Sequence, residues 1–111
     1  MNDLIRPTLY DAYHPIVTLA PPQNAIGKAD IVGPVCETGD FLGLDREMPA
    51  LATGDKLAVL SAGAYGAVMA STYNTRPPAG EVLVYNGKAH LLRPARSLAS
   101  LLAEEIIPAF K

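Results

Sequence analysis

Gly33-Pro34-Val35-Cys36-Glu37-Thr38-Gly39-Asp40 is the stretch that organises this chain, because it separates two β-strand patterns. Residues 28–35 alternate weakly between apolar and polar side chains and predict a strand that ends at the thiol. Residues 41–42 predict the start of another short strand. The glycines and the proline between them favour a loop. The only cysteine of the chain, with an acid directly after it, is therefore expected in a loop at a strand end.

Strand and turn patterns dominate the rest of the chain. Residues 10–19, rich in Tyr, Ile, Val and Thr, predict a strand, and residues 56–61 predict a strand buried on both faces. Asn86-Gly87 between two apolar runs predicts a β-hairpin. Other predictions are a loop at Pro21-Pro22-Gln23-Asn24, a turn at residues 52–55, a break at residues 62–66 and either a short helix or irregular structure at residues 67–73.

A helix is expected near the C-terminal end. Ser97 is a good N-cap residue. Leu98, Leu101, Leu102 and Ile106 fall on one face at helical spacing, and Pro108 limits continuation. The chain is thus predicted to be mostly β, a barrel or sandwich with short helical segments and a C-terminal helix.

Composition excludes several classes of function. The chain has 111 residues, a formal net charge of −2 and no cluster of basic residues, which argues against nucleic acid as a partner. A single cysteine cannot form an internal disulfide, which favours a cytoplasmic protein. Residues 57–70, an uncharged stretch rich in Gly, Ser and Tyr, are too short to span a bilayer, so no membrane is expected. His14 and His90 lack ligand spacing to Cys36, so no metal is expected.

Five residues could carry chemistry. Arg6 and Tyr10 are four positions apart, so their side chains meet if the segment is helical and share a face if it is extended. Together they suit a carboxylate, although the residues alone favour a surface arginine and a half-buried tyrosine without such a role. The Cys36 thiol could donate a proton and Glu37 could bind an ammonium group. Tyr65, between two glycines after a strand, could bind phosphate or serve as a rim residue.

The chain resembles the C-terminal domain of the diaminopimelate decarboxylases in four ordered motifs. These are Met1-Asn2-Asp3-Leu4-Ile5-Arg6-Pro7-Thr8-Leu9-Tyr10, the stretch from Gly33 to Asp40, Ala62-Gly63-Ala64-Tyr65-Gly66-Ala67-Val68-Met69-Ala70-Ser71, and Tyr73-Asn74-Thr75-Arg76-Pro77. Thr38 stands where the family usually has serine, which keeps the hydroxyl. The resemblance covers nearly all of the chain.

The resemblance implies a pyridoxal 5'-phosphate enzyme that converts meso-2,6-diaminopimelate to L-lysine and CO2. The cofactor would be bound on a (β/α)8 barrel that precedes this domain and carries the Schiff-base lysine. None of the four lysines of the chain matches that lysine motif. Residues 1–111 are therefore expected to be a C-terminal β domain of the alanine racemase type without the barrel, inactive on its own.

The resemblance also implies roles for the five residues. Cys36 would protonate the α-carbon after CO2 leaves. Arg6 and Tyr10 would bind the distal carboxylate of the substrate, and Glu37 its distal ammonium. Tyr65 would reach both the cofactor phosphate and the substrate. The protein would be a homodimer in which Cys36 and Glu37 serve the cofactor of the other subunit.

Two alternatives remain open from the sequence. Ornithine, arginine and carboxynorspermidine decarboxylases share this type of domain, although the Cys-Glu-Thr-Gly-Asp run is closer to the diaminopimelate pattern. A stand-alone, non-catalytic β module used for association would also explain a chain without the cofactor lysine.

Overall fold

The computed structural model describes residues 1–19 and 26–110. The chain forms two compact units, Met1–Ala70 and Ser71–Lys111. Most of the regular structure is β-strand, with a few short helices. The loop predicted at Pro21-Pro22-Gln23-Asn24 lies outside the described residues.

The described residues of the first unit form one short helix, four strands and a 3₁₀ turn. In chain order these are α1 (Arg6–Tyr10), β1 (Ile16–Thr18), β2 (Ile26–Val32), β3 (Phe41–Pro49), β4 (Leu57–Val59) and the 3₁₀ turn Ala67–Met69. Strand β1 pairs antiparallel with β4, and β2 pairs antiparallel with β3. The loop of residues 33–40 joins β2 to β3.

The prediction of one strand over residues 10–19 is wrong at its N-terminal end. Tyr10 is the last residue of helix α1, and only Ile16–Thr18 is strand. Pro7 supports the helix, since its fixed φ suits a first turn. Asp11 then adopts a left-handed conformation (φ 56°), and its N–H bonds back to carbonyls of the helix, which ends it.

Strand β3 is longer than the sequence indicates. The pattern predicts a short strand before Asp45-Arg46-Glu47, but β3 runs through these charged residues to Pro49. Arg46 and Glu47 pair with Ala29 and Lys28 of β2, so side-chain propensity alone does not decide the length of β3. Asp45 has a positive φ of 50°, and its N–H donates to Asp30 Oδ1 at 2.7 Å. The register of the β2–β3 pair shifts between Ala29 and Ile31 and again between Ile31 and Val32.

Strand β4 is less buried than predicted. Its three residues, Leu57–Val59, are each half-buried, so the expectation of a strand buried on both faces is wrong. Among residues 1–19 and 26–110, β4 pairs with β1 and with no other strand. The buried apolar side chains of the described part are Leu4, Pro7 and Met48, so little core is available to cover both faces. The turn predicted at residues 52–55 is confirmed by Asp55 N–H bonding to Ala52 O at 3.1 Å.

The second unit begins with the 3₁₀ turn Tyr73–Thr75 and is built around the predicted hairpin. Strand β5 (Glu81–Tyr85) pairs antiparallel with β6 (Lys88–Arg93). Asn86 and Gly87 between them have φ values of 49° and 71°. Positive φ at both central residues is what a two-residue hairpin turn of type I′ requires. The hairpin prediction is confirmed.

The helix near the C-terminal end is short. Helix α2 spans only Leu98–Leu102, and Ser97 caps it by accepting a hydrogen bond from Ser100 N–H at 3.1 Å. Ile106, placed on the helical face by its spacing, lies beyond the helix and is 89% exposed. Five residues make little more than one turn, which is too short to be a stable helix in isolation.

Each strand of the described part pairs with one partner, giving three two-stranded sheets. The strands of residues 1–19 and 26–110 do not close into a barrel, and the barrel or sandwich arrangement stays a prediction. In the same residues, no helix is both long enough and apolar enough to cross a membrane.

Candidate functional site

Helix α1 brings Arg6 and Tyr10 together. Arg6 Nε donates to the Tyr10 hydroxyl at 3.2 Å, as side chains four positions apart on a helix can. The hydroxyl in turn donates to Met69 Sδ at 3.3 Å. Apart from Tyr10, Arg6 has no side-chain hydrogen-bond partner within residues 1–19 and 26–110. Both terminal NH2 groups of Arg6 are therefore available to an external acceptor.

The Cys36 loop is closed by Asp40, whose residue is only 3% exposed. Asp40 Oδ2 accepts the Val35 N–H at 2.7 Å, and its backbone oxygen accepts the Gly33 N–H at 2.7 Å. The Met1 amino group also bonds to the Asp40 carboxylate. A buried carboxylate with several donors fixes the loop, since leaving such a charge unpaired would be costly. Cys36 and Glu37 are held on this loop with exposed side chains.

Two glycines allow the loop to pack this closely. A Cβ on Gly33 would overlap the Asp40 carboxylate, and a Cβ on Gly39 would come within 2.8 Å of Thr8 Cγ2. Neither glycine has a positive φ, so the requirement at both positions is space. Close approach of other atoms, rather than backbone conformation, excludes a side chain here.

Thr8 connects helix α1 to the loop. The Thr8 hydroxyl donates to the Gly39 carbonyl oxygen. Thr8 is two positions from both Arg6 and Tyr10, and residues two apart on a helix do not share a face. The helix therefore holds the loop on one side and presents the Arg6–Tyr10 pair on another.

Tyr65 lies in a strained turn after β4. It has a left-handed backbone (φ 58°) and is 66% exposed. A Cβ on Gly66 would overlap the backbone oxygen of Ala62, whereas a Cβ on Gly63 would meet no atom within 4 Å. The Ala67 N–H closes the turn on Gly63 O at 3.0 Å. The turn presents the phenol to the outside of the unit.

The five predicted residues fall into three groups. Arg6 and Tyr10 are in contact, and Cys36 and Glu37 share the loop. No hydrogen bond or ring contact joins Tyr65 or Cys36 to the other site residues in the part that the structure describes. Sequence reasoning missed Asp40 and Thr8 as the residues that fix the loop. In the sequence, Asp40 is the acid that ends the stretch from Gly33 to Asp40, and no pattern there indicates that it is buried.

A pocket of about 680 Å³ in the first unit contains none of the five predicted residues. Its lining includes Arg46, whose guanidinium carbon lies 3.9 Å from the centre of the Tyr13 ring. Arg46 Nε and Nη1 are buried and have no hydrogen-bond partner among the described residues. Stacking on the aromatic ring compensates part of this desolvation. No pattern in the sequence singled out this pair.

The described residues contain no group of three or more His, Cys, Asp or Glu placed to hold a metal ion. The two histidines occupy opposite environments. His14 is 1% exposed in the first unit, whereas His90 is exposed on β6 in the second.

Comparison with known proteins identifies the family. Residues 1–63 match the family described as pyridoxal-dependent decarboxylase, C-terminal sheet domain. The chain belongs to this family. A diaminopimelate decarboxylase from Aquifex aeolicus is 59% identical over 93 residues, which are 84% of this chain and 22% of that protein. One from Vibrio cholerae is 53% identical over 109 residues, 97% of this chain and 26% of that protein.

A solved diaminopimelate decarboxylase structure is also similar to this chain. The diaminopimelate decarboxylase from M. jannaschii, in complex with L-lysine, superposes with a TM-score of 0.91 at 39% identity. The match covers 97% of this chain and 25% of that one. The chain thus spans about a quarter of the length of the curated relatives that it matches.

Proposed function

We propose that the chain is the C-terminal domain of a diaminopimelate decarboxylase, which converts meso-2,6-diaminopimelate to L-lysine and CO2. The observation that carries the proposal is the match of 97% of the chain, at 53% identity, to one quarter of the Vibrio cholerae enzyme. The other three quarters would contain the (β/α)8 barrel with the cofactor lysine. The paired strands described here would belong to a barrel or sandwich domain of the alanine racemase type. Large apolar side chains exposed on β5 and β6 support such an arrangement, since they offer surface for further packing.

Arg6, Tyr10 and Glu37 would bind the distal end of the substrate, which carries a carboxylate and an ammonium group. The two available NH2 groups of Arg6 suit a bidentate contact with the carboxylate. Tyr10 keeps the guanidinium oriented through its bond to Nε. Glu37, an ionised acceptor on the exposed loop, suits the ammonium group.

One residue of the chain, Tyr65, is suited to contact pyridoxal phosphate. The exposed Tyr65 phenol can donate a hydrogen bond to a phosphate oxygen or to the substrate. When bound, the cofactor supplies the electron sink that makes loss of CO2 possible. Of the described lysines, Lys28 is paired with Asp45 at 2.9 Å, and none lies in a motif for covalent attachment. The chain would therefore contribute to a cofactor site held mainly by another domain.

Cys36 would supply the proton that replaces CO2 on the α-carbon. Its thiol is exposed on a loop whose backbone is fixed by Asp40, so the proton at Sγ is presented in a defined place. General acid catalysis of this kind contributes about 10²–10⁴-fold to a rate.

A site shared between two subunits of a homodimer is supported by helix α1. The loop with Cys36 and Glu37 and the Arg6–Tyr10 pair lie on different sides of that helix. Two groups turned away from each other are difficult to bring to one ligand within a single chain. In a dimer, the loop of one subunit would complete the site that contains Arg6 and Tyr10 of the other.

The test uses a complete decarboxylase, formed by joining this chain to the barrel of the Vibrio cholerae enzyme. We expect the complete decarboxylase to release CO2 from meso-diaminopimelate and not from ornithine or arginine. Cys36→Ala should lower kcat about 10²-fold or more while pyridoxal phosphate binding, followed by absorbance, stays intact. Turnover of ornithine or arginine instead would place the chain in a related decarboxylase. No turnover of any amino acid by a cofactor-loaded chimera would favour an association module.

A further inference from the structure

His14 is a buried residue that the proposed function does not use. Its residue is 1% exposed, and it is the largest fully buried side chain among residues 1–19 and 26–110. It lies in the segment between α1, which carries Arg6 and Tyr10, and β1. Burying a polar ring in a small domain costs free energy unless its nitrogens form hydrogen bonds.

The bond that His14 makes is specific. Its Nδ1 lies 3.1 Å from the Leu60 carbonyl oxygen. A carbonyl oxygen only accepts, so Nδ1 carries the proton and donates. The Leu60 N–H donates to Pro15 O at 2.8 Å, and thus both backbone groups of Leu60 are held by neighbouring residues of one segment. The second ring nitrogen, Nε2, is buried without a hydrogen-bond partner in the described part of the chain.

Leu60, with both backbone groups hydrogen-bonded, directly precedes the turn of residues 61–66 that carries Tyr65. Strand β4 ends at Val59, and Ser61 has a left-handed backbone (φ 56°), as Tyr65 does. Non-glycine residues keep this conformation only where their surroundings enforce it. The Tyr65 side chain makes no hydrogen bond or ring contact within residues 1–19 and 26–110, so its position is set by the backbone that leads to it.

We propose that His14 is a positioning residue for Tyr65: by donating from Nδ1 to Leu60 O, it fixes the point from which the turn of residues 61–66 projects the phenol. The inference rests on the proposed function for its effect on activity, since Tyr65 is there assigned to phosphate and substrate. Its structural part, the hold on Leu60, does not depend on that function.

The chemistry of the ring suggests a discriminating set of variants. In His14→Asn the amide nitrogen is the same number of bonds from Cα as Nδ1, so the bond to Leu60 O is kept. In His14→Gln the amide nitrogen takes the place of Nε2 instead. His14→Leu removes both nitrogens at similar size. His90→Leu, at an exposed position of β6, is the matched control.

In the complete decarboxylase, we expect His14→Gln and His14→Leu to lower kcat/KM about tenfold or more and to weaken pyridoxal phosphate binding. His14→Asn should stay near the unsubstituted protein, and so should His90→Leu. Hydrogen exchange measured on this chain alone should show faster exchange at Leu60 and Ala67 in the Gln and Leu variants, and not in the Asn variant.

Equal behaviour of the Asn and Gln variants in hydrogen exchange would overturn the proposal, because burial alone would then explain His14. Slow exchange at Leu60 in all three variants would overturn it as well. If the exchange results agree while the complete decarboxylase has no activity, the proposed function fails and the hold on Leu60 stands.

Discussion

Gly33 offers the sharpest test of how the Cys36 loop is built. In Gly33→Ala the new Cβ would lie well inside 3.0 Å of the Asp40 carboxylate, a separation that real Cβ atoms do not adopt. The carboxylate is buried, so it cannot swing into solvent without leaving Val35 N–H unpaired. Gly27→Ala is the matched control, because a Cβ there meets no atom within 4 Å. Neither glycine has a positive φ.

The expected change in the free energy of unfolding combines two costs and one smaller gain. Forcing an extra methyl into a packed site costs about 1–3 kcal/mol. Weakening a hydrogen bond to a buried carboxylate costs about 1.5–3 kcal/mol. Replacing glycine by alanine returns about 0.4–1 kcal/mol by restricting the unfolded chain. We therefore expect Gly33→Ala to destabilise the chain by about 2–4 kcal/mol, and Gly27→Ala to be neutral or slightly stabilising.

Urea unfolding followed by circular dichroism measures this difference. With a slope of about 1.5 kcal/mol per M, the midpoint of Gly33→Ala should fall by about 1.3–2.7 M relative to the unsubstituted chain. The rate at which a thiol reagent modifies Cys36 gives a second readout, since the loop must move to admit the methyl group. Equal midpoints and equal thiol rates for the two alanine variants would refute the argument that Asp40 closes the loop.

Three further predictions follow from local geometry. Gly66→Ala should destabilise the chain by about 3 kcal/mol in urea unfolding, because its Cβ would overlap a backbone oxygen, while Gly63→Ala should have no such effect; similar midpoints would contradict this. Ser97→Ala should cost helix α2 about 1 kcal/mol, seen as reduced ellipticity at 222 nm, and an unchanged spectrum would show that the cap contributes nothing. Val84, 70% exposed on an apolar hairpin face, should promote self-association of the isolated chain, so Val84→Lys should lower the mass measured by light scattering and Lys88→Ala should not. A monomer at high concentration before substitution would contradict the last prediction.

Much of the local structure could be predicted from the sequence because a few residues determine it directly. Asn86-Gly87 fixes a hairpin turn, since these residues tolerate positive φ more readily than others. Ser97 caps a helix with its own hydroxyl. The extent of strands could not be predicted in the same way. Strand β3 continues through three charged residues because β2 satisfies its backbone, and that partner is known only from the fold.

The candidate site shows the same division. The spacing of Arg6 and Tyr10 indicated a contact if the segment were helical, and the structure has both the helix and the contact. The loop with Cys36 and Glu37 could be located from its glycines and proline. The residues that hold these groups, Asp40 and Thr8, could not be recognised, because an acid and a hydroxyl show nothing in sequence about burial or about which distant atom they meet.

By itself, the sequence determined the local turns, the two ends of the hairpin, and the motifs on which the family resemblance depends. Only the tertiary structure separated residues of the same type: Gly33, which has no room for a side chain, from Gly27, which has, and the buried His14 from the exposed His90. The physical reason is that a turn depends on the φ and ψ preferences of its own residues. Burial and close approach depend instead on atoms that long-range packing brings from elsewhere in the chain.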